Sequence, residues 1–522
     1  MRPVSLRHRP GDDAANAAEA DAAWADAPIG APDDAAAVDL HLDEILAAAP
    51  EVGPLAAAPC RDPEAVAFRH EVFRDLERPP LAEAAEAFVA EIETAQTRLD
   101  HAGGLRHPVE RARWILAALD AYRGAVEAFG VALDDGAVAS HGLAAVRDAL
   151  RAYRASEAFT ALTDDATRTL AALGAVRYRL RIGEHRVVVG HHDDGPDYGA
   201  EIAAAFARFR RDGAPPPAPI AVDRFETGDL NHLEAAILAH VARQHPEPFS
   251  ALDAFVTRHR GAIDPAVVAV ADDLRAYLGW LALIAPLREA GVAFCYPTVT
   301  TSATDGPRLD VRDLVDVALA RRGATTGDPV VPNDVVLGPG ERVIVITGPN
   351  QAGKTTLARA IGQLARLAAI GVPVAASAAT VVLADGVHTL FARAEDPADL
   401  AGRLEAELRR ARAILETVGP ESLVIINEVF ASTTADDALA LDRALLAELG
   451  SRGTTCVLVT FLTELASLDA TTVSLAGLPD PDAATRPSYR FERRPADALA
   501  RARVVAAAHG LDYDAVRARV RP

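Results

Sequence analysis

The chain has 522 residues, 50% of them hydrophobic and 24% charged, with a formal net charge of −21. At roughly 150 residues per domain this length predicts about three domains and a sizeable packed core, and the sequence has no run of about 18 uncharged apolar residues that would predict a helical membrane span. The acidic balance argues against general, tight coating of DNA, because phosphate neutralisation by basic side chains supplies most non-specific affinity.

Residues 1–37 contain no apolar h-region and read as a disordered Ala/Asp-rich leader, not a secretory signal. Cys60, Cys295 and Cys456 are far apart and odd in number, which argues against a disulfide framework and fits a reducing cytoplasm. From 38 to 320 the chain is Ala/Leu/Arg/Glu-rich with helical spacing of apolar residues, a helical core or lever domain in which 80–102 and 106–129 are long helices. Within it, 176–225 reads as a small β-containing insertion. Arg177, Arg179 and Arg181 alternate with Tyr178, Leu180 and Ile182, a period of two, and 183–185 turns into a second strand over Arg186–Val189. Together with Arg208, Arg210 and Arg211 this cationic face is either a phosphate contact or an ordinary solvated face. His191 and His192 followed by Asp193 and Asp194 lack further ligands at metal spacing and read as a solvated loop. A Pro-rich loop, 213–220, closes the insertion, and helices resume at 229–245 and run to about 289.

The pattern then changes. Short Val/Ile-rich runs at 342–347, 380–384, 422–426 and 455–460 alternate with helical stretches at 355–370, 399–415 and 436–449. Buried strands separated by helices predict a largely parallel α/β sheet over 325–522. The expected fold class is multidomain, α plus α/β, with long helices followed by a P-loop ATPase domain.

Gly348-Pro349-Asn350-Gln351-Ala352-Gly353-Lys354-Thr355 fits G-x-x-x-x-G-K-[ST], and Thr356 follows it. It stands after a predicted strand and opens a predicted helix, the context this motif requires. Glycines let the backbone turn so that N–H groups cradle phosphate oxygens, and the helix N-terminus adds partial positive charge. Thr355 offers a hydroxyl to Mg2+. Lys354 is the only lysine in a chain with 53 Lys plus Arg. Arginine serves wherever only charge is needed; inside this loop a compact ammonium is required, and the wider guanidinium fork does not fit. The run 422–426 ends in Asn427-Glu428, with Glu428 where a catalytic base belongs. Asn427 stands where an aspartate is expected to help hold the metal. It keeps an acceptor oxygen and loses the charge, which predicts weaker Mg2+ binding and slow hydrolysis.

The stretches 346–356, 331–334, 423–438 and 460–465 resemble the ATPase domain of MutS-type DNA mismatch repair proteins. Residues 494–520 resemble that family's closing helical segment, and 64–77 and 285–297 its core and lever region. The resemblance implies ATP and Mg2+ as cofactors and a homodimer in which a loop from the partner completes each site. Here that loop is 432–437, giving Thr433, Thr434 and Asp437 a role in trans; a plain helix N-cap at Thr434 is the other reading. DNA is the implied ligand, in repair or recombination, and a protein partner is the alternative that suits the acidic charge.

The sequence departs from the family in several places. Besides Asn427, Phe461 and Thr463 stand where the family has histidines, and Leu400-Ala401-Gly402-Arg403 replaces a serine-rich helix start. About 37 residues precede the helical core, and none of the 15 phenylalanines is followed two positions later by glutamate. The expectation is therefore a divergent subgroup without the family's N-terminal mismatch-reading wedge and without an appended nuclease. An ABC transporter subunit is a poor match, because the helices precede the phosphate loop.

Overall fold

The computed structural model describes residues 1–9, 35–183, 186–192, 230–301, 306–392, 402–480, 487–496, 511 and 513–520. By compactness the chain divides into one unit of residues 1–3, 83–136 and 147–271, and a second of 4–82, 137–146 and 272–522. Residues 38–82 and 272–320 of the helical stretch belong to the second unit.

The first unit is built on helices α1 (Pro79–Gly104), α2 (Pro108–Asp135), α3 (Glu157–Gly174), α4 (His232–Gln244) and α5 (Pro246–Arg258), with a hairpin of strands β1 (Tyr178–Ile182) and β2 (Val187–His191). Local chemistry sets the helix starts. Pro108 occupies the first turn of α2, Ser156 caps α3, and Asn231 with Glu234 forms a capping box on α4. In the core the Phe88 and Phe129 rings stack 4.5 Å apart. The buried Asp165 carboxylate accepts from Arg258, and its Oδ2 lies 3.0 Å from His259 Nε2.

The hairpin pairs Tyr178 with His191 and Ile182 with Val187. Its expected arginine face exists, with Arg179 opposite Gly190 and Arg181 opposite Val188. The other face is apolar and also open: Tyr178, Leu180 and Ile182 are 43%, 40% and 80% exposed. Arg177 precedes the strand and donates to the carbonyls of Gly174 and Val176. Residues 184, 185, 193, 194, 208, 210, 211 and 213–220 of the expected insertion lie outside the described residues.

The second unit holds two sheets. The larger has the order β12-β11-β6-β10-β9-β8, from β6 (Val343–Thr347), β8 (Val387–Phe391), β9 (Leu423–Asn427), β10 (Thr455–Val459), β11 (Thr472–Pro479) and β12 (Pro487–Arg493). All its pairings are parallel except β11 with β12. Strand β6 is buried at every position, and β9 and β10 at four of five, which is why they read as unbroken apolar runs rather than alternating ones. The smaller sheet has the order β3-β7-β4-β5, from β3 (Thr298–Thr300), β4 (Leu309–Leu314), β5 (Asn333–Leu337) and β7 (Ala378–Val382). Helices α6 (Val317–Thr326), α7 (Lys354–Ala369), α8 (Arg403–Thr417) and α9 (Ala435–Ser451) belong to this unit.

Two expectations are corrected here. The run at 380–384 is not in the parallel sheet: its strand, β7, lies between β3 and β4 in the smaller one. The place beside β9 is taken by β8, whose His388 and Thr389 interrupt the apolar signal. The expected disordered leader does not hold for residues 4–9. Leu6 is fully buried, its N–H donates to Asp273 Oδ2 at 2.8 Å, and its carbonyl accepts from the Tyr277 hydroxyl at 2.6 Å. Arg7 adds an ion pair to Asp273 at 2.7 Å, its carbonyl accepts from Arg69, and Arg9 pairs with Asp62, so Leu6 and these polar contacts together pin the segment. Residues 10–34, 399–401 and 497–510 lie outside the described residues; Tyr513–Val520 is helical.

Candidate functional site

Strands β6, β9 and β10 are parallel neighbours, with Val459 opposite both Ile346 and Asn427. Their carboxyl ends therefore meet at one edge of the sheet, where open α/β sheets bind ligands. There β6 leads into the loop 348–353, and α7 starts at Lys354. The loop needs left-handed backbone at Gly348 (φ 145°), Gln351 (φ 62°) and Gly353 (φ 87°). Gly348 is also sterically fixed, since a Cβ there would lie 3.3 Å from the Gly477 backbone nitrogen. Turns of this kind ahead of a helix N-terminus form an anion-binding concavity.

The Lys354 side chain is 4% exposed and folds back over this loop. Its Nζ donates to the carbonyls of Gly348 (3.0 Å) and Pro349 (3.1 Å) and stands 3.6 Å from Glu428 Oε1. It also lies 4.0 Å from the centroid of the Phe461 ring, a cation–π contact. Thr355 Oγ1 donates to Asn427 Oδ1 at 3.0 Å. Two neutral oxygens thus sit beside the loop, a donor set of the hard type that suits Mg2+, although neither is charged. Glu428 follows β9 in a left-handed conformation (φ 51°), and its N–H donates to the Val459 carbonyl at 3.0 Å.

A cavity of about 900 Å3 opens over these groups, large enough for a nucleotide-sized ligand. Pro349, Asn350, Gln351, Gly353, Lys354, Thr355, Thr356, Glu428 and Phe461 all line it. Gly348, Asn427 and Ala352, the last only 1% exposed, do not. Its wall also includes the apolar Leu319, Val330 and Val331, and Tyr489, whose Cδ1 would lie 3.5 Å from a Cβ on Gly353. Thr433, Thr434 and Asp437 do not line the cavity. In this chain Thr434 caps α9, accepting from the Asp437 N–H at 3.2 Å, and both threonine hydroxyls donate to Asp437 Oδ2.

Two wall elements escape a reading of the sequence. Tyr489 is half-exposed in a left-handed conformation (φ 59°). Asn333 grips the backbone on both sides of Arg490: its amide donates to the Tyr489 carbonyl at 3.0 Å and accepts from the Phe491 N–H at 2.8 Å. Asn333 lies within the stretch 331–334, but its partners are more than 150 positions away, beyond the reach of any local pattern. Behind the site, α9 buries Asp442 at 3% exposure. Burial first, and the Glu407 carboxylate second, push its acid up to about 7.

The second unit is thus a mixed α/β body with a glycine-rich loop, one enclosed lysine and a carboxylate gathered at the carboxyl end of a parallel sheet. Residues 344–479 match the family model for MutS domain V. The chain is 32% identical over 348 residues to the DNA mismatch repair protein MutS of Granulibacter bethesdensis, covering 64% of this chain and 35% of that protein. Against the DNA mismatch repair protein MutS of a Thermus thermophilus strain it is 30% identical over 240 residues, covering 46% of this chain and 27% of the relative. Over these stretches the chain is similar to MutS-type proteins. It spans about a quarter to a third of the length of these curated relatives.

Proposed function

We propose that this chain is a MutS-like ATPase: it binds ATP with Mg2+, hydrolyses it, and works in the cytoplasm as a nucleotide-switched homodimer on DNA, in mismatch repair or recombination. The observation that carries the reading is the Lys354 ammonium, enclosed by loop 348–353 and within 4 Å of Glu428. Those loop carbonyls occupy the lysine where phosphate oxygens would otherwise be its partners. Residues 348–356 hold the phosphates, and the apolar wall with Leu319, Val330 and Val331 takes the base. Thr355 and Asn427 are the residues that would hold Mg2+, which when bound neutralises phosphate charge. Glu428 orients the attacking water and accepts its proton. Thr433, Thr434 and Asp437 reach the partner's site across the dimer, in addition to capping α9. Catalysis here is mainly positioning and electrostatic stabilisation.

Asn427 sets the expected pace. With an amide oxygen in place of a carboxylate, Asn427→Asp is expected to tighten Mg2+ and raise turnover several-fold, read from the Mg2+ dependence of phosphate release. Unchanged Mg2+ dependence would remove Asn427 from the metal site.

The test of the whole reading is Mg2+-dependent ATP turnover by the purified chain, alone and with homoduplex, mismatched, single-stranded and branched DNA, at low and physiological salt. A rate change with one DNA class supports it. The net charge of −21 favours one other reading, a nucleotide-gated protein that binds a protein partner. Turnover indifferent to every DNA would shift the weight to that.

A further inference from the structure

The segment that follows β9 carries two left-handed residues that are not glycine, Glu428 (φ 51°) and Phe430 (φ 56°), with the buried Val429 between them. L residues with side chains rarely hold this conformation, and two so close together persist only where the surroundings fix them. One end is held by the Glu428 N–H on the Val459 carbonyl at 3.0 Å. At the other end, the Phe430 N–H donates to Glu407 Oε2 at 2.8 Å. Glu407 lies on α8 and is 1% exposed; its second oxygen accepts from Arg403 Nε at 3.1 Å. Phe430 is itself 1% exposed, packed in the core with Val429, Leu446 and Leu458. A carboxylate buried so deeply, one turn from its own arginine and aimed at a backbone N–H three residues from the end of β9, holds the local chain in place. It also has a consequence for the carboxylate two positions before that N–H.

We propose that Glu407 is a positioning residue for Glu428: by fixing the Phe430 N–H it locks the left-handed turn that presents the Glu428 carboxylate to the cavity. This rests on the reading of Glu428 as the group that activates water. Without the Glu407 acceptor the buried Phe430 N–H is unpaired, and the turn relaxes toward ordinary backbone. Glu428 then swings away while loop 348–356 is untouched, since the Glu407 carboxylate bonds Arg403 and Phe430, both outside that loop. Charge is secondary in this role; an acceptor oxygen at that reach is what matters.

The experiment compares Glu407→Ala, Glu407→Gln and Glu407→Asp in the full chain, with Glu428→Gln alongside, reading ATP turnover, ATP affinity and thermal melting. Glu407→Ala is expected to lower kcat at least about tenfold with ATP affinity within about twofold of wild type. Glu407→Gln, which keeps an acceptor at the same reach, is expected to retain turnover within about threefold. Glu407→Asp, one methylene short, is expected to fall between them, and it carries the test if the alanine variant does not fold. Folded Ala or Asp variants with wild-type turnover would overturn the proposal, as would a Gln variant as impaired as Ala. If Glu428→Gln itself turned over normally, it is the base assignment that fails, a result distinct from either.

Discussion

Glu428→Gln is expected to bind Mg–ATP as tightly as the wild-type chain and to turn it over about 100-fold or more slowly, in line with the removal of a general base. The substitution is nearly isosteric. It leaves the Lys354 loop and the Thr355–Asn427 pair in place and removes only the group that can take a proton. The geometry separates the two functions: Glu428 lines the cavity, is 34% exposed and has Oε1 3.6 Å from Lys354 Nζ, while the loop is anchored independently on β6 and α7. A gain in affinity of a few-fold is compatible with this, because the change also removes negative charge close to the phosphates. Rapid-quench single-turnover measurements with a fluorescent nucleotide for affinity check both halves. Turnover near the wild-type rate would remove Glu428 as the base.

The second large effect concerns stability. Asp442 is 3% exposed, with one carboxylate oxygen lacking a hydrogen-bond partner, beside Glu407 in the core that also contains Cys456. Its acid is raised from the ordinary 3.8 to about 7, by burial and then by Glu407. A group whose pKa is higher in the folded state stabilises the fold fully below its unfolded pKa. That contribution is lost as pH rises through the folded value. The window is therefore about pH 4 to 7, and a shift of this size corresponds to on the order of 4 kcal/mol. Asp442→Asn cannot ionise. Its denaturation midpoint is expected to match or trail the wild type near pH 5 and to exceed it clearly at pH 8. The wild-type minus variant difference, measured by urea denaturation across pH 5–8, isolates this group from the rest of an acidic chain. A difference independent of pH would show that Asp442 does not change charge on folding.

The parts of this structure legible in sequence are those where local pattern and burial coincide. Strands β6, β9 and β10 are covered on both faces, so their apolar runs stand out, and the glycine-rich loop is contiguous with Lys354 and Thr355. What escapes is non-local. Strand β8 carries His388 and Thr389, whose polarity hides it; Thr389 bonds Asp39, 350 positions away. The assignment of β7 to the smaller sheet depends on pairing with β3 and β4, which its own residues do not encode. Phe461 is legible as a departure from histidine, but its ring against Lys354 Nζ follows from the β6–β10 pairing alone. Tyr489 needs Asn333, and Phe430 needs Glu407, to hold backbone that neither would choose unaided. Thr434 illustrates the opposite case: both readings of residues 432–437 are open in the sequence, and the cap is the one a single chain can display.

The central claim is that the loop around Lys354 is a nucleotide site. The most direct measurement is a calorimetric titration of Mg–ATP into the full chain, with Lys354→Ala in parallel. Saturable binding by the wild type, weakened about 100-fold by loss of the lysine's charge-assisted contacts, is the predicted result. No saturable binding by a folded wild-type chain, or equal binding by the alanine variant, would contradict it.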